Sequence, residues 1–316
     1  MITKIDIVSG FLGAGKTTFI RKLISEEYKD EKVVVLENEM GKVNIDGQIL
    51  KNSGILVKEM TAGCICCNLS GNFDDAINEI LESFNPDRII VEPTGIAMLS
   101  QVISSCSSNK YSDLIQMNMV ITVVDVKRFK LSLSYSKEFL ENQIKATQSI
   151  ILSKTEGVDE ELIQDVIFKL HEINSEAVVI HLPWDKVTAA KLISATQYKS
   201  NEKPKVEKKT VKIIGAKHRQ KIEACEIETE MKFNKKIIQH LFSELAKITE
   251  YGNIIRGKGV VLEDGWSGLK FDYVLGDLTF ERLNSESIGN ICIIGINLNK
   301  EKIKELFKNK YIFKQP

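Results

Sequence analysis

Two short stretches of this 316-residue chain carry side chains at spacings that can do chemistry. The first is Gly10-Phe11-Leu12-Gly13-Ala14-Gly15-Lys16-Thr17-Thr18, which fits G-x-x-x-x-G-K-[ST] between a strand pattern and a helix pattern. Gly13 and Gly15 let the backbone turn so that its amides face phosphate oxygens, with Gly10 and Ala14 completing the loop. The N-terminus of the following helix adds the positive end of its dipole. Lys16 would neutralise β- and γ-phosphate oxygens, and the Thr17 hydroxyl would ligate Mg²⁺. A second carboxylate-bearing turn, Glu92-Pro93-Thr94-Gly95, ends the strand pattern Arg88-Ile89-Ile90-Val91-Glu92. Glu92 could hold Mg²⁺ through water, and the Gly95 amide could approach the γ-phosphate. Ligands of open α/β sheets bind at that carboxyl edge.

The second stretch is Gly63-Cys64-Ile65-Cys66-Cys67, three of the chain's six cysteines within four residues. Cys64 and Cys66 can face one ion and Cys67 supplies a third thiolate. A tetrahedral soft site then needs a fourth ligand, and Glu39 in the loop after the second strand offers one. A redox dithiol and coincidental buried cysteines remain as alternatives, whereas a disulfide between the adjacent Cys66 and Cys67 would be strained. Cys106, Cys225 and Cys292 sit singly among apolar neighbours and read as buried small hydrophobes. His171, His181, His218 and His240 are scattered, which argues against metal storage. Ser153-Lys154-Thr155-Glu156 follows a later strand, where guanine-specific enzymes carry Asn-Lys-x-Asp; Ser153 and Glu156 depart from that pattern.

These residues need a scaffold. Residues 2–8 form a strand pattern, and from Lys16 onward Phe19, Ile20, Leu23 and Ile24 share a helical face. Further buried strands read at 32–36, 55–58, 88–91, 120–124, 149–152 and 177–180, with a clear helix over 160–173. Such alternation implies an α/β fold: a P-loop NTPase domain with a mostly parallel sheet covered on both faces. Tyr198–Thr210 is polar, Lys-rich and contains Pro204. It divides the chain into a domain over 1–198, a linker over 199–210 and a smaller α+β domain over 211–316. In that second domain, strands are expected at 211–215, 222–227, 254–262, 271–275 and 291–297. A last helix is capped by Asn299.

The formal net charge is zero, with 43 basic and 43 acidic side chains. This argues against a chain-wide nucleic-acid binder and against a highly charged disordered protein. No stretch approaches the ~20 apolar residues of a membrane span, and residues 1–6 lack the features of a signal peptide. A soluble cytoplasmic protein is expected, with no nucleic-acid or membrane partner. The zero is a sum of opposites: residues 1–198 carry 20 basic and 27 acidic side chains, and residues 199–316 carry 23 and 16.

Taken in order, the Gly-x-x-Gly-x-Gly-Lys-Thr-Thr loop, Asn38-Glu39 with Asp46-Gly47, Cys64-x-Cys66-Cys67 and Glu92-Pro93-Thr94-Gly95 resemble the CobW-type GTPases. These are metallochaperones related to urease and hydrogenase maturation GTPases. The resemblance covers essentially the whole chain, including Ile255-Arg256-Gly257-Lys258-Gly259, similar to the family's C-terminal module. It implies GTP, Mg²⁺ and Zn²⁺ or Co²⁺ as ligands. Lys16, Thr17 and Thr18 would bind phosphate and Mg²⁺, Gly95 would contact the nucleotide, and Lys154 would cover the base. Glu39 would join Cys64, Cys66 and Cys67 around the transition metal. Lys16, Glu39 and Glu92 are then the candidate catalytic residues, and Asp125 matches a family Asp. Lys42 stands where many members carry a second Glu. The implied activity is slow GTP hydrolysis coupled to metal delivery, to a client metalloprotein or a metal-cofactor (cobalamin-related) biosynthesis enzyme, with a homodimer also compatible. Two rival readings are an ATP-dependent kinase or ligase and a non-catalytic metal- or redox-responsive nucleotide binder.

Overall fold

A computed structural model describes residues 2–38, 56–60, 69–111, 113–196, 222–263, 266–283 and 289–308. They form two compact units, whose described residues fall within 2–196 and 222–308. The expected linker over 199–210 and the expected strand over 211–215 lie outside the described residues.

The first unit alternates strands and helices in the order β1 (Thr3–Gly10), α1 (Lys16–Glu26), β2 (Val33–Asn38), β3 (Leu56–Met60), α2 (Leu69–Phe84), β4 (Arg88–Glu92), α3 (Leu99–Cys106) and β5 (Ile115–Asp125), then α4 (Phe129–Ala146), β6 (Ser149–Ser153), α5 (Glu160–Ile173), β7 (Val178–Ile180) and α6 (Ala189–Thr196). The strands make one sheet in the order β3-β2-β4-β1-β5-β6-β7, and every ladder is parallel. Neighbouring residues of one strand feed opposite faces. Val34, Leu36, Ile89 and Val91 pack with Phe73 and Ile77 of α2 and with Val102 of α3. Val33, Val35 and Ile90 pack instead with Phe19, Ile20 and Leu23 of α1 and with Leu192 of α6. Both faces are therefore dry, which is why the strands read as continuous apolar runs.

β5 begins five residues before its expected start. Its extra residues include the polar Gln116 and Asn118, which disguise the strand. Ile115, Gln116 and Met117 pair with Thr3–Ile5 of β1, and the register then shifts at Ile5/Asp6. Asn118 is there for Asp6, to whose carboxylate its amide donates at 2.6 Å.

The second unit contains β8 (Ile222–Glu228), α7 (Lys235–Lys247), β9 (Asn253–Glu263), β10 (Trp266–Val274), β11 (Asp277–Leu283), β12 (Asn290–Ile296) and α8 (Lys300–Lys308). Its sheet is antiparallel in the order β11-β10-β9-β12-β8. β11 is absent from the expectations because Asp277-Leu278-Thr279-Phe280-Glu281 alternates as a half-exposed edge, without a buried apolar run. One core joins the sheet to both helices, with Phe242 of α7 and Phe307 of α8 at its centre. A Cβ on Gly257 would lie 2.3 Å from the Phe242 ring, and one on Gly259 would lie 2.7 Å from Phe271. The two glycines of the Arg256-Gly257-Lys258-Gly259 run thus clear space for those rings. The Asn299 carboxamide accepts from the Lys302 amide at 3.2 Å, as a helix cap should. No helix among the described residues is long and apolar enough to cross a membrane.

Candidate nucleotide site

The glycine loop leaves β1 at the carboxyl edge of the sheet and enters α1. Gly10 has φ +142°, and a Cβ there would lie 2.3 Å from the Val123 carbonyl oxygen. Gly13 and Gly15 have φ +69° and +101°, in the region that side chains disfavour. The turn that aims the loop amides is therefore built from glycine, with Ala14 buried between them. Lys16 is buried; its Nζ donates to the Phe11 carbonyl at 3.5 Å and lies 3.9 Å from Glu92 Oε1. The Thr17 hydroxyl is 3.1 Å from each Glu92 carboxylate oxygen, to which it donates. Thr18, one residue on, is exposed.

Glu92 ends β4, and the turn after it lies against the glycine loop. A Cβ on Gly95 would be 2.4 Å from the Leu12 backbone nitrogen, so only glycine permits this approach. The fully buried Gln143 of α4 pins the same turn, its amide donating to the Gly95 carbonyl at 3.0 Å and the Ala97 carbonyl at 3.3 Å. Nothing in the sequence singled out Gln143, since a polar residue on a half-exposed helix looks like surface. Glu37 was also missed. The strand pattern over 32–36 stops one residue short of it, but the strand runs to Asn38 and sets Glu37 beside Glu92 in the parallel ladder. Two buried carboxylates therefore stand side by side at the sheet edge, next to Lys16 and Thr17. The signal was a Glu at the end of a buried strand pattern.

On the other side of the loop, Ser153 ends β6 and its hydroxyl donates to the Ala14 carbonyl at 2.7 Å. Lys154 follows in a left-handed conformation (φ +56°). Its Nζ donates to the Gly13 carbonyl at 3.0 Å and to Asp125 Oδ2 at 2.6 Å. Asp125 also accepts from the Lys127 and Arg128 amides, so it caps the turn that opens α4. Both candidate base-side residues are thus tied to the phosphate loop, and Glu156 is exposed. Trp184 approaches from beyond β7. Its indole N–H donates to the Leu152 carbonyl at 3.0 Å, and its ring edge comes within 3.5 Å of where a Cβ on Gly15 would lie.

The structure therefore brings together Gly10, Gly13, Ala14, Gly15, Lys16, Thr17, Glu92, Gly95 and Lys154. Glu39, Cys64, Cys66 and Cys67 lie outside the described residues. Within the described residues, no group of three or more His, Cys, Asp and Glu could hold a metal. Cys106, Cys225 and Cys292 are buried free thiols, and burial pushes the Cys106 thiol up to about 12.

The chain matches the family model for the CobW/HypB/UreG nucleotide-binding domain over residues 4–181. It is 31% identical over 186 residues to the zinc chaperone YeiR of Escherichia coli, a match that covers 59% of this chain and 57% of that one. It is 26% identical over 318 residues to the zinc chaperone YjiA of Escherichia coli, with 96% and 97% covered. The solved structure of the Zn(II)-bound YjiA GTPase from E. coli is 20% identical, with 98% of each chain covered and a TM-score of 0.48. The chain spans about half the length of other curated relatives it matches.

Proposed function

This chain belongs to the CobW/HypB/UreG family of nucleotide-binding domains, and from that premise we propose that it is a GTPase metallochaperone for zinc. The observation that carries this reading is the contact of Glu92 with both Lys16 and Thr17, on a turn whose Gly95 lies against the loop at Leu12. A phosphate entering the loop competes for Lys16 and Thr17, so it must act on the Glu92–Gly95 turn as well. The oxygen donors Thr17 and Glu92, with Glu37 alongside, suit a hard cation such as Mg²⁺. When bound, Mg²⁺ would offset charge on the β- and γ-phosphates.

Within this scheme Lys16 and the loop amides bind and orient the phosphates, and Gln143 holds the turn that senses them. Ser153 and Lys154 brace the loop on its base side, where Glu156 stands in for the usual Asp. Glu39, Cys64, Cys66 and Cys67 hold the cargo, with three thiolates and a carboxylate suited to Zn²⁺; Co²⁺ is the alternative cargo. Turnover is slow unless a partner supplies an arginine to the transition state. Delivery takes place in the cytoplasm to a client metalloprotein, from a nucleotide domain over 1–198 and a C-terminal domain over 211–316.

The test is a zinc titration against a chromophoric chelator in the apo, GTP and GDP states, with ATP as competitor. GTP should displace labelled GTP at least tenfold better than ATP does. Zinc affinity should differ at least fivefold between the GTP and GDP states, and zinc should shift GTP affinity by the same factor. Equal zinc affinity in all three states would sink the coupling, and equal competition by ATP would sink the guanine preference.

A further inference from the structure

The amino end of α1 is gripped from outside by a single side chain. Gly15 opens the helix with no side chain of its own to cap it, at φ +101°. The Phe19 amide donates to the Gly15 carbonyl at 3.0 Å and closes the first turn, which carries Lys16, Thr17 and Thr18. Residues four apart share one helical face, and Trp184 lies against both ends of this one. The far edge of its six-membered ring comes within 3.5 Å of where a Cβ on Gly15 would lie. The same side chain meets the Phe19 ring edge to face, with centroids 5.5 Å apart. Cover for the core would need only the contact with Phe19. The approach to Gly15 sets the indole on the phosphate loop itself.

The ring is held in register, because its indole N–H donates to the Leu152 carbonyl at 3.0 Å. Leu152 precedes Ser153, whose hydroxyl holds the Ala14 carbonyl, and Lys154 holds that of Gly13. Gly13, Ala14 and Gly15 are thus each met by one residue from the base side of the loop. The segment that carries Trp184 is fastened along α1 as well. Val187 packs into the core that contains Phe19, Ile20 and Leu23, and the Ala189 amide donates to Glu26 at 2.8 Å. The indole therefore has a fixed base from which to press on the first turn.

We propose that Trp184 is a positioning residue of the nucleotide site, holding the first turn of α1 so that Lys16, Thr17 and the loop amides meet the phosphates. The inference rests on the reading of this loop as a nucleotide site. Glycine has the widest conformational freedom of any residue, so Gly15 without the indole beside it samples more states. Nucleotide binding must then restore the order of the turn, at a cost in affinity. The same contact makes Trp184 a reporter, since phosphates that tighten the turn change the packing around the indole.

The test compares the full chain with its Trp184→Phe variant, which keeps a ring beside Phe19 but has no N–H for Leu152. The KM for GTP should rise about fivefold, as the loss of one hydrogen bond would give, and by more than kcat falls. The Kd for GDP, measured by calorimetry, should rise by the same factor. Trp184→Ala, which removes the ring as well, should raise both further. The chain has two tryptophans, and its emission should change on saturation with GDP and Mg²⁺. Trp184→Phe, saturated at a higher GDP concentration, should lose that change. An unchanged KM in Trp184→Phe overturns the proposal. So does a lower kcat with KM unmoved, which reports only a smaller folded fraction. An emission change that survives in Trp184→Phe overturns it too. Should Trp184→Ala unfold, Trp184→Phe decides alone. A wild type that binds no GTP would sink the nucleotide reading itself, whereas wild-type binding with unaltered variants sinks this inference alone.

Discussion

The strand β4 is five residues long and carries a charged side chain at each end, and the two ends are held in opposite ways. At its start, Arg88 is buried and fully engaged. Nη1 reaches Asp6 at 2.6 Å, Nε and Nη2 reach Glu31 at 2.6 and 3.0 Å, and the guanidinium stacks on Tyr28 at 3.8 Å. Burial would lower the Arg88 pKa, but its bonds to Glu31 and the charge of Asp6 win and raise it; burial, then Asp6, raises that of Tyr28. At its end, Glu92 meets Lys16 at 3.9 Å, shares both oxygens with one hydroxyl and lies beside a second carboxylate, Glu37. The amino end is a closed charge cluster with no ligand to receive. The carboxyl end keeps donors and carboxylates in a less committed arrangement that a phosphate and a cation can take over. One short strand thus separates the demands of stability and of exchange.

Breaking the amino end should therefore cost the most stability. Arg88→Ala leaves Asp6, itself 0% exposed, as a buried carboxylate still bonded to Asn118 but without its cation. Such losses run to about 3–5 kcal/mol, read as a lower urea midpoint, and nucleotide affinity in the surviving folded fraction should change little. Glu92→Gln should do the reverse: a stability change of no more than about 1 kcal/mol, because the amide keeps the side chain's volume and an oxygen that can accept from Thr17, with GTP hydrolysis lowered roughly a hundredfold. If Glu92→Gln destabilised the fold as much as Arg88→Ala, the contrast between the two ends would be wrong.

Legibility followed the same division. The phosphate loop was readable because glycine, lysine and threonine are demanded at fixed offsets by backbone conformation and charge. The Glu160–Ile173 helix was readable from its apolar face alone. Glu37 and Gln143 were not, since each acts through a neighbour that only the sheet register or helix packing supplies. Arg88 was noted only as the first residue of a strand pattern, because its partners Asp6 and Glu31 come from distant parts of the chain. β11 was missed because an edge strand need not bury a face.

An intermediate effect is expected where the base side braces the loop. Ser153→Ala removes the 2.7 Å bond to the Ala14 carbonyl and leaves that acceptor buried. A loss of about 1 kcal/mol corresponds to GTP binding roughly fivefold weaker, measurable by calorimetry. Lys154→Ala loses the contacts to Gly13 and Asp125 together and should weaken binding further. If Ser153→Ala leaves affinity unchanged, the departure from Asn-Lys-x-Asp has no structural role in binding.

The smallest effect lies along α1, which repeats the contrast of β4. Its first residues, Lys16 and Thr17, belong to the phosphate site. Near its last, Glu26 accepts from Lys22 at 2.5 Å and from the Ala189 amide at 2.8 Å, anchoring the start of α6. Those bonds, Lys22 first and Ala189 second, hold its carboxyl below the usual value of 4.5. A depressed carboxyl contributes stability that is complete above the unfolded value and is lost as pH falls through the folded one. Thermal stability of the wild type should therefore fall below pH 4.5 more steeply than that of Glu26→Gln, which has no proton to gain there. Because Glu26 is exposed, the difference should be modest and should shrink in high salt. Parallel pH profiles for the two proteins would show that this end of α1 is held by packing alone. At neutral pH, Glu26→Gln should leave GTP hydrolysis unchanged, since Lys16 and Thr17 lie at the opposite end of the helix.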